Sequence, residues 1–351
     1  MKKIITVLLV VALLFSMAAC AGTGAKNDKF VGISMPTQDL QRWNQDGANM
    51  KEKFEAAGFK VDLQYANNEV ATQVSQIENM ISAGVKVLVI AAIDGKTLTS
   101  VLASAKTAGI YVIAYDRLIM DTDAVSYYCT FDNYMVGTIQ GQYIKDQLKL
   151  DDGGKYNIEI TAGDPADNNA LYFYQGAIDV LQPYIDSGVL TVVSKQVKFE
   201  EVATPAWSTE TSQARMEAIL ASFYADGTQL DACLCSNDST AKGVTNALAS
   251  SYTGKYPIVT GQDCDIVNTK DIIAGKQAMS IFKDTRTLAA QTVTMVSDLL
   301  AGKTPEVNDT KSYDNGTGII PTFLCAPVFA DINNYKALLI DSGYYTADQL
   351  K

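Results

Sequence analysis

Along this 351-residue chain, apolar runs repeatedly stop at clusters of polar or charged side chains. The run 30–35 leads to Arg42 and Trp43, and Tyr-Val-Ile-Ala-Tyr at 111–115 ends in Asp116 and Arg117. The run 156–161 leads to Asp164, Asp167, Asn168 and Asn169, and 232–236 to Asn237 and Asp238. Gln262 and Asp263 follow 258–261, and Lys283 and Asp284 follow 279–282. A single Asp or Asn in such a place is explained by a helix N-cap or a turn. Arg117, Lys283 and Gln262 are poor caps, so capping leaves them unexplained. Taken together, these groups are paired donors and acceptors, with the chain's two tryptophans, Trp43 and Trp207, beside them. Each hydroxyl of a polyhydroxylated neutral ligand donates and accepts, and its C–H faces stack on indole. A phosphate fits less well, because no glycine-rich loop of the Walker or dinucleotide type is present.

The elements that must hold these residues alternate strand and helix. Strands are expected at 30–35, 61–65, 85–93, 111–115 and 125–131, with helices between the first four and a helix over 133–148. The pattern then repeats, with strands at 156–161, 190–197, 232–236, 258–260 and 279–282 and helices after each. The tail reads as short β pieces at 318–320 and 323–328 and a helix over 333–340. This is α/β architecture with doubly wound parallel sheets, whose ligands bind beyond the carboxyl ends of the strands. By pattern alone, the chain is two similar consecutive halves.

Composition removes several function classes. The chain has no histidine, so Ser-His, Cys-His and zinc-His arrangements are impossible. A net charge of -11 disfavours nucleic acid as a partner. Lys2-Lys3, the apolar run 4–15 and Ala18-Ala19-Cys20 read as an export signal over residues 1–20. That signal ends in a lipobox-like cysteine, Cys20, with a small polar tether over 21–28. Of the later cysteines, Cys129, Cys233, Cys235 and Cys325 sit in or beside apolar runs as buried thiols; Cys264, after Asp263, stands apart. Neither a metal nor a cofactor is expected.

The runs Arg42-Trp43 with Asp46-Gly47, Ala114-Tyr-Asp-Arg-Leu-Ile119, Asp167-Asn-Asn-Ala170, Ser236-Asn-Asp238, Gly261-Gln-Asp263 and Phe282-Lys-Asp-Thr-Arg286 closely resemble the multiple-sugar-binding receptors of bacterial ABC transporters. These are grouped with the xylose-binding proteins in the type I periplasmic binding protein class. The likeness spans Val31 to Leu350. It implies two Rossmann-like lobes joined by a hinge that the chain crosses three times, near Asn133, Asp263 and Asp309. Lobe 1 would then hold 29–133 plus 264–309, and lobe 2 would hold 134–263 plus 310–351. By the same resemblance Arg42, Trp43, Asp116 and Arg117 contact a sugar from lobe 1. Asn168 or Asn169, Trp207, Asn237 or Asp238, and Asp263 contact it from lobe 2, with Lys283 beside the hinge. Asp116 and Asp263 would accept from hydroxyls, Arg42, Arg117 and Lys283 would donate, and the indoles would stack. Cys264 departs from the family pattern, which has a small alanine there.

The function so implied is an exported, lipid-anchored solute-binding protein on the outer face of the cytoplasmic membrane, or in the periplasm. It would close on an aldose such as xylose, glucose, galactose or arabinose and deliver it to an ABC permease. A chemoreceptor or sensor kinase is an alternative or additional partner. Paired carboxylates and tryptophans also build glycoside hydrolases, but the doubly wound pattern and the tethered format argue for a non-enzyme. A repressor effector core shares this fold, yet the leader and the lack of a helix-turn-helix argue against it.

Overall fold

The computed structural model describes residues 29–351, so the expected leader, Cys20 and the tether lie outside the described residues. Strands and helices alternate as β1 (Phe30–Met35), α1 (Gln41–Ala56), β2 (Lys60–Tyr65), α2 (Val70–Ser82), β3 (Val87–Ile90), α3 (Thr99–Thr107), β4 (Tyr111–Tyr115) and β5 (Val125–Phe131). Next come α4 (Asn133–Leu148), β6 (Tyr156–Thr161), α5 (Asn168–Asp186), β7 (Leu190–Val192), α6 (Phe199–Val202), α7 (Thr209–Phe223), β8 (Ala232–Cys235), α8 (Asp238–Ser251) and β9 (Ile258–Val259). The chain ends with α9 (Ile266–Ile273), β10 (Met279–Phe282), α10 (Thr285–Leu300), β11 (Thr322–Cys325), β12 (Val328–Asp331) and a π-helical turn (Lys336–Asp341).

The first sheet has the order β11-β5-β4-β3-β1-β2, with every pairing parallel. The second runs β7-β6-β8-β9 and continues into β10-β12 through a parallel bridge between Gln262 and Ile281. Its outer strand, β12, is antiparallel to β10. Both sheets therefore change winding direction beside their first strand, between β1 and β3 and between β6 and β8. That is where a doubly wound sheet opens a crevice at its strand ends. β3 and β8 are buried along their whole length, because helices cover both sheet faces. Two apolar clusters sandwich each sheet, which makes each lobe a three-layer unit with its own core.

The three crossings differ from the expected positions at two places. The chain enters lobe 2 between β5 and α4, returns between β10 and α10 at Lys283–Asp284, and leaves again between β11 and β12. Residues 264–282, expected in lobe 1, belong to lobe 2, because β10 pairs with β12 and abuts the end of β9. Residues 310–325, expected in lobe 2, belong to lobe 1, because β11 pairs with β5. The reason is physical: a four-residue apolar strand carries no mark of which sheet it will join. Pairing is settled by partners roughly two hundred residues earlier in the chain, here Tyr128 to Phe131 for β11. Pro327, which lacks an N–H, ends that pairing and the chain swings across. The tail strands also lie later than expected, and 318–320 forms only an isolated bridge, Asp314 to Ile319.

Helices α4 and α5 meet with almost no side chain between them. A β-carbon on Gly137 would lie 1.9 Å from the Phe173 carbonyl oxygen, and one on Gly176 would lie 2.1 Å from that of Tyr134. Only glycine allows this approach, which sets the first turns of α5 against the crevice. No helix among the described residues is long and apolar enough to cross a membrane.

Candidate functional site

Arg42 and Trp43 lie in the first turn of α1, on the face that the helix buries. Asp46, one turn later, accepts from Arg42 Nε at 2.9 Å and from the Tyr115 hydroxyl at 2.5 Å. With Nε held from behind, the terminal nitrogens point across the crevice. Nη2 donates to Asp116 Oδ1 at 2.7 Å, and Nη1 to Asp263 Oδ1 at 3.3 Å. Lys283 Nζ lies 3.2 Å from the same Asp263 oxygen and 3.9 Å from Asp116 Oδ1. Two cations and two carboxylates from both lobes thus form one buried square. A second ion pair runs parallel to it, with Arg117 Nε 3.0 Å from Asp167 Oδ2. Arg117 Nη1 also donates to the carbonyls of Ala92 and Ile93 at 3.0 and 3.3 Å.

The backbone is bent to present these groups. Asp116, Asp263 and Cys264 take left-handed conformations at φ 59°, 99° and 52°, which non-glycine residues adopt only when the surroundings hold them there. The Asp116 carbonyl accepts from Tyr128 Oη, Thr130 Oγ1 and Asn169 Nδ2, at 2.5, 2.9 and 2.6 Å. Asn169 belongs to lobe 2 and Asp116 to lobe 1, so this bond also joins the lobes. The Asp263 amide donates to the Ile281 carbonyl at 2.8 Å, and the Cys264 amide to Ser280 Oγ at 3.0 Å.

Aromatic rings close the sides. Trp43 lies under both guanidinium groups, 4.8 Å from Arg42 Cζ and 5.1 Å from that of Arg117. Trp207 ends a tight turn in which it and Ala206 are both left-handed at φ 55°. Its ring fills the space over Gly163, where a β-carbon would come within 1.9 Å of the indole. Phe173 packs tilted against Trp207, with ring centroids 6.3 Å apart, and carries the Lys283 ammonium 5.5 Å above its ring. Both indole N–H groups and Gln262 Oε1 are buried without a protein partner among the described residues. Such groups are uncommon in a finished core and usual where a polar ligand is received.

Among the carboxylates that face the cations, Asp116 is the one held ionised. Burial alone would push Asp116 up, but Arg42, Lys283 and Arg117 outweigh it and hold its carboxyl below the ordinary range. Burial also works against the Arg42 charge, yet Asp116, Asp46 and Asp263 keep the guanidinium above its usual value. Asp46 and Asp167 go the other way: burial lifts both, against the pull of Arg42 and of Arg117 respectively. No group of three or more potential metal ligands occurs among the described residues.

Of the expected residues, Arg42, Trp43, Asp116, Arg117, Asn169, Trp207, Asn237, Asp263 and Lys283 line this one cleft. Asn168 and Asp238 do not. Asn168 is half-buried at the start of α5, outside the lining. Asp238 is fully buried behind Gly261, where it accepts from Gln277 Nε2, Ser280 Oγ and the Asp265 amide at 2.8, 2.9 and 2.8 Å. It ties the loop after β9 to the start of α8 and faces no cleft. Some capping did occur: Asn237 caps α8 and Asp167 caps α5, while both also line the cleft. Leu40, Asp167, Phe173 and Gln262 complete the lining. Asp167 and Gln262 stood visibly at strand ends, and Phe173 follows Asn169 by one helical turn. Leu40 gave no sequence signal. Cys264 is buried like the other four described cysteines, and all are free thiols.

Two doubly wound lobes, crossed three times and facing each other over a cleft of ion pairs and indoles, define a type I bacterial solute-binding protein. Comparison with known proteins makes the assignment specific: the chain belongs to the periplasmic binding protein domain family, whose model matches residues 31–304. It is 49% identical to the multiple sugar-binding periplasmic receptor ChvE of Rhizobium radiobacter over the whole of both chains. It is 36% identical to the D-xylose-binding periplasmic protein of Escherichia coli over 99% of each. Among solved structures, an ABC transporter solute-binding protein from Clostridium phytofermentans with bound β-D-glucose superposes with a TM-score of 0.91. That protein is 68% identical and matches 92% of this chain and 100% of its own. The resemblance read from the sequence, and the fold it implied, hold.

Proposed function

We propose that this chain captures a neutral aldose between its lobes and hands it to an ABC permease, acting as an exported lipoprotein anchored through Cys20. The observation that carries this reading is the buried square of Arg42, Lys283, Asp116 and Asp263. It brings donors and acceptors from both lobes together at 2.7 to 3.3 Å, and a sugar's hydroxyls would take up these groups by replacing their contacts with one another. Trp43 and Trp207 line the cleft and supply flat apolar surface of the kind that the C–H faces of a pyranose require. The glucose in the Clostridium phytofermentans relative and the sugar-binding names of the other relatives support the ligand class.

Calorimetric titration of the mature protein with glucose, galactose, xylose, arabinose and their acids tests the proposal. Saturable binding of at least one neutral aldose without turnover is the expected result. Turnover of a glycoside, or binding confined to sugar acids, would sink it. Labelling of Cys20 by a fatty-acid probe in cells tests the anchor separately, and a Cys20→Ala protein should lose the label.

A further inference from the structure

The lobes touch at a second place, outside the cleft, where one tyrosine from the end of the chain meets two glutamines of α1. Tyr345 Oη donates to the Cys264 carbonyl at 2.9 Å, and it accepts from Gln41 Nε2 at 2.6 Å and Gln45 Nε2 at 3.1 Å. Gln41 Oε1 in turn accepts from the Ile266 amide at 3.1 Å. Gln41 immediately precedes Arg42, and Cys264 immediately follows Asp263. The contact therefore grips, from outside, the two backbone segments whose side chains meet inside the cleft.

We infer that Gln41 and Tyr345 are positioning residues for sugar capture: a latch that holds the left-handed Asp263–Cys264 turn against α1 in the closed protein. The inference rests on the proposed closure around a sugar. The bond from Tyr345 to Cys264 lies within lobe 2 and survives opening. The bonds made by Gln41 and Gln45 cross between lobes and exist only when closed. On opening, water replaces them, so each contributes a modest share of the closed state's advantage. Because no latch atom lines the cleft, the share is the same for every sugar. Pocket residues behave differently, since each addresses particular hydroxyls.

The test uses Gln41→Ala, Tyr345→Phe and the double variant of the full mature chain, with D-glucose and D-xylose as probes. Each single variant should raise the Kd of both sugars by one common factor of about 3 to 10, given the worth of a net hydrogen bond. The loss should appear as faster dissociation in stopped-flow tryptophan fluorescence, because latch bonds form after encounter. The double variant should be little weaker than the worse single one, since the two residues share a bond. The Tm of sugar-free Gln41→Ala should stay near that of the parent, whereas Tyr345→Phe, which also loses the bond to the Cys264 carbonyl within lobe 2, should lower it modestly. Unchanged Kd and dissociation in both single variants overturns the latch, as does a change in the ranking of the two sugars. If the parent binds neither these nor any other aldose, the capture reading itself falls and takes the latch with it. Should Tyr345→Phe fold poorly, Gln41→Ala still decides, because Gln41 is half-buried at a helix start and removes no ring.

Discussion

Asp116 and Asp263 each meet a terminal nitrogen of the Arg42 guanidinium, and both offer acceptors to a ligand. Asp116 is held below its ordinary pKa, so its favourable share of stability is present above about pH 4 and is lost as pH falls through the lowered value. The stability gap between the parent and Asp116→Asn should therefore narrow as denaturation midpoints are followed from pH 6 to pH 3. Asp265, two residues beyond Asp263, is the reverse case. Burial and the neighbouring Asp263 push it up to about 7, and its Oδ1 has no partner among the described residues. Its raised value penalises the charged form, so the cost is absent below about pH 4 and complete above about pH 7. Asp265→Asn should raise the Tm at pH 8 and leave it unchanged at pH 4; an equal gain at both would refute the assignment. In binding, Asp116→Ala strands Arg42 and Lys283 and removes acceptors. Sugar affinity should fall at least about tenfold, roughly 1.4 kcal/mol or more, in a titration at pH 7.

At the scale of elements, two close approaches fix where the site residues stand. The glycine seam between α4 and α5 seats Asn169 and Phe173 at the cleft. Gly176→Leu forces the helices apart and should cost about 3 kcal/mol in urea unfolding, the upper range for an overpacked core. The turn that ends at Trp207 is shaped by Gly163 beneath the indole. Gly163→Ala should lower sugar affinity and shift tryptophan emission, with a smaller loss of stability, because the turn is a surface piece that can move. An unaltered emission spectrum would show that the indole does not rest on that glycine.

On the scale of the molecule, closure is the work done. Arg42 to Asp263, Arg117 to Asp167 and Asn169 to the Asp116 carbonyl all link lobe 1 to lobe 2, so the present form is bridged at several points. A bound sugar would exchange some of these contacts for bridges of its own. At one hundred times its Kd, a sugar should stabilise the protein by about 2.7 kcal/mol through mass action. Hydrogen exchange should slow at the three crossings, at 131–133, 283–284 and 325–328, more than in the outer helices. Equal slowing everywhere would argue against a hinge.

The residues alone settled a good deal. Strand-to-helix alternation gave the doubly wound class, since an apolar run covered on both faces has few other homes. Strand-end chemistry and the family resemblance together named nine of the lining residues as ligand contacts, and Asp167 and Gln262 stood at strand ends without being named so. Arg117 and Lys283 were legible because nothing local explains a cation at such a place. Tertiary structure decided what local pattern could not. It separated Asn169 from Asn168 and Asn237 from Asp238, because neighbours on a turn face opposite ways and only packing says which way is inward. It moved residues 264–282 and 310–325 between lobes, because four-residue strands find partners by long-range pairing. It also showed the Tyr345 contact, whose partners lie some three hundred residues away in the chain and meet only when the two lobes do.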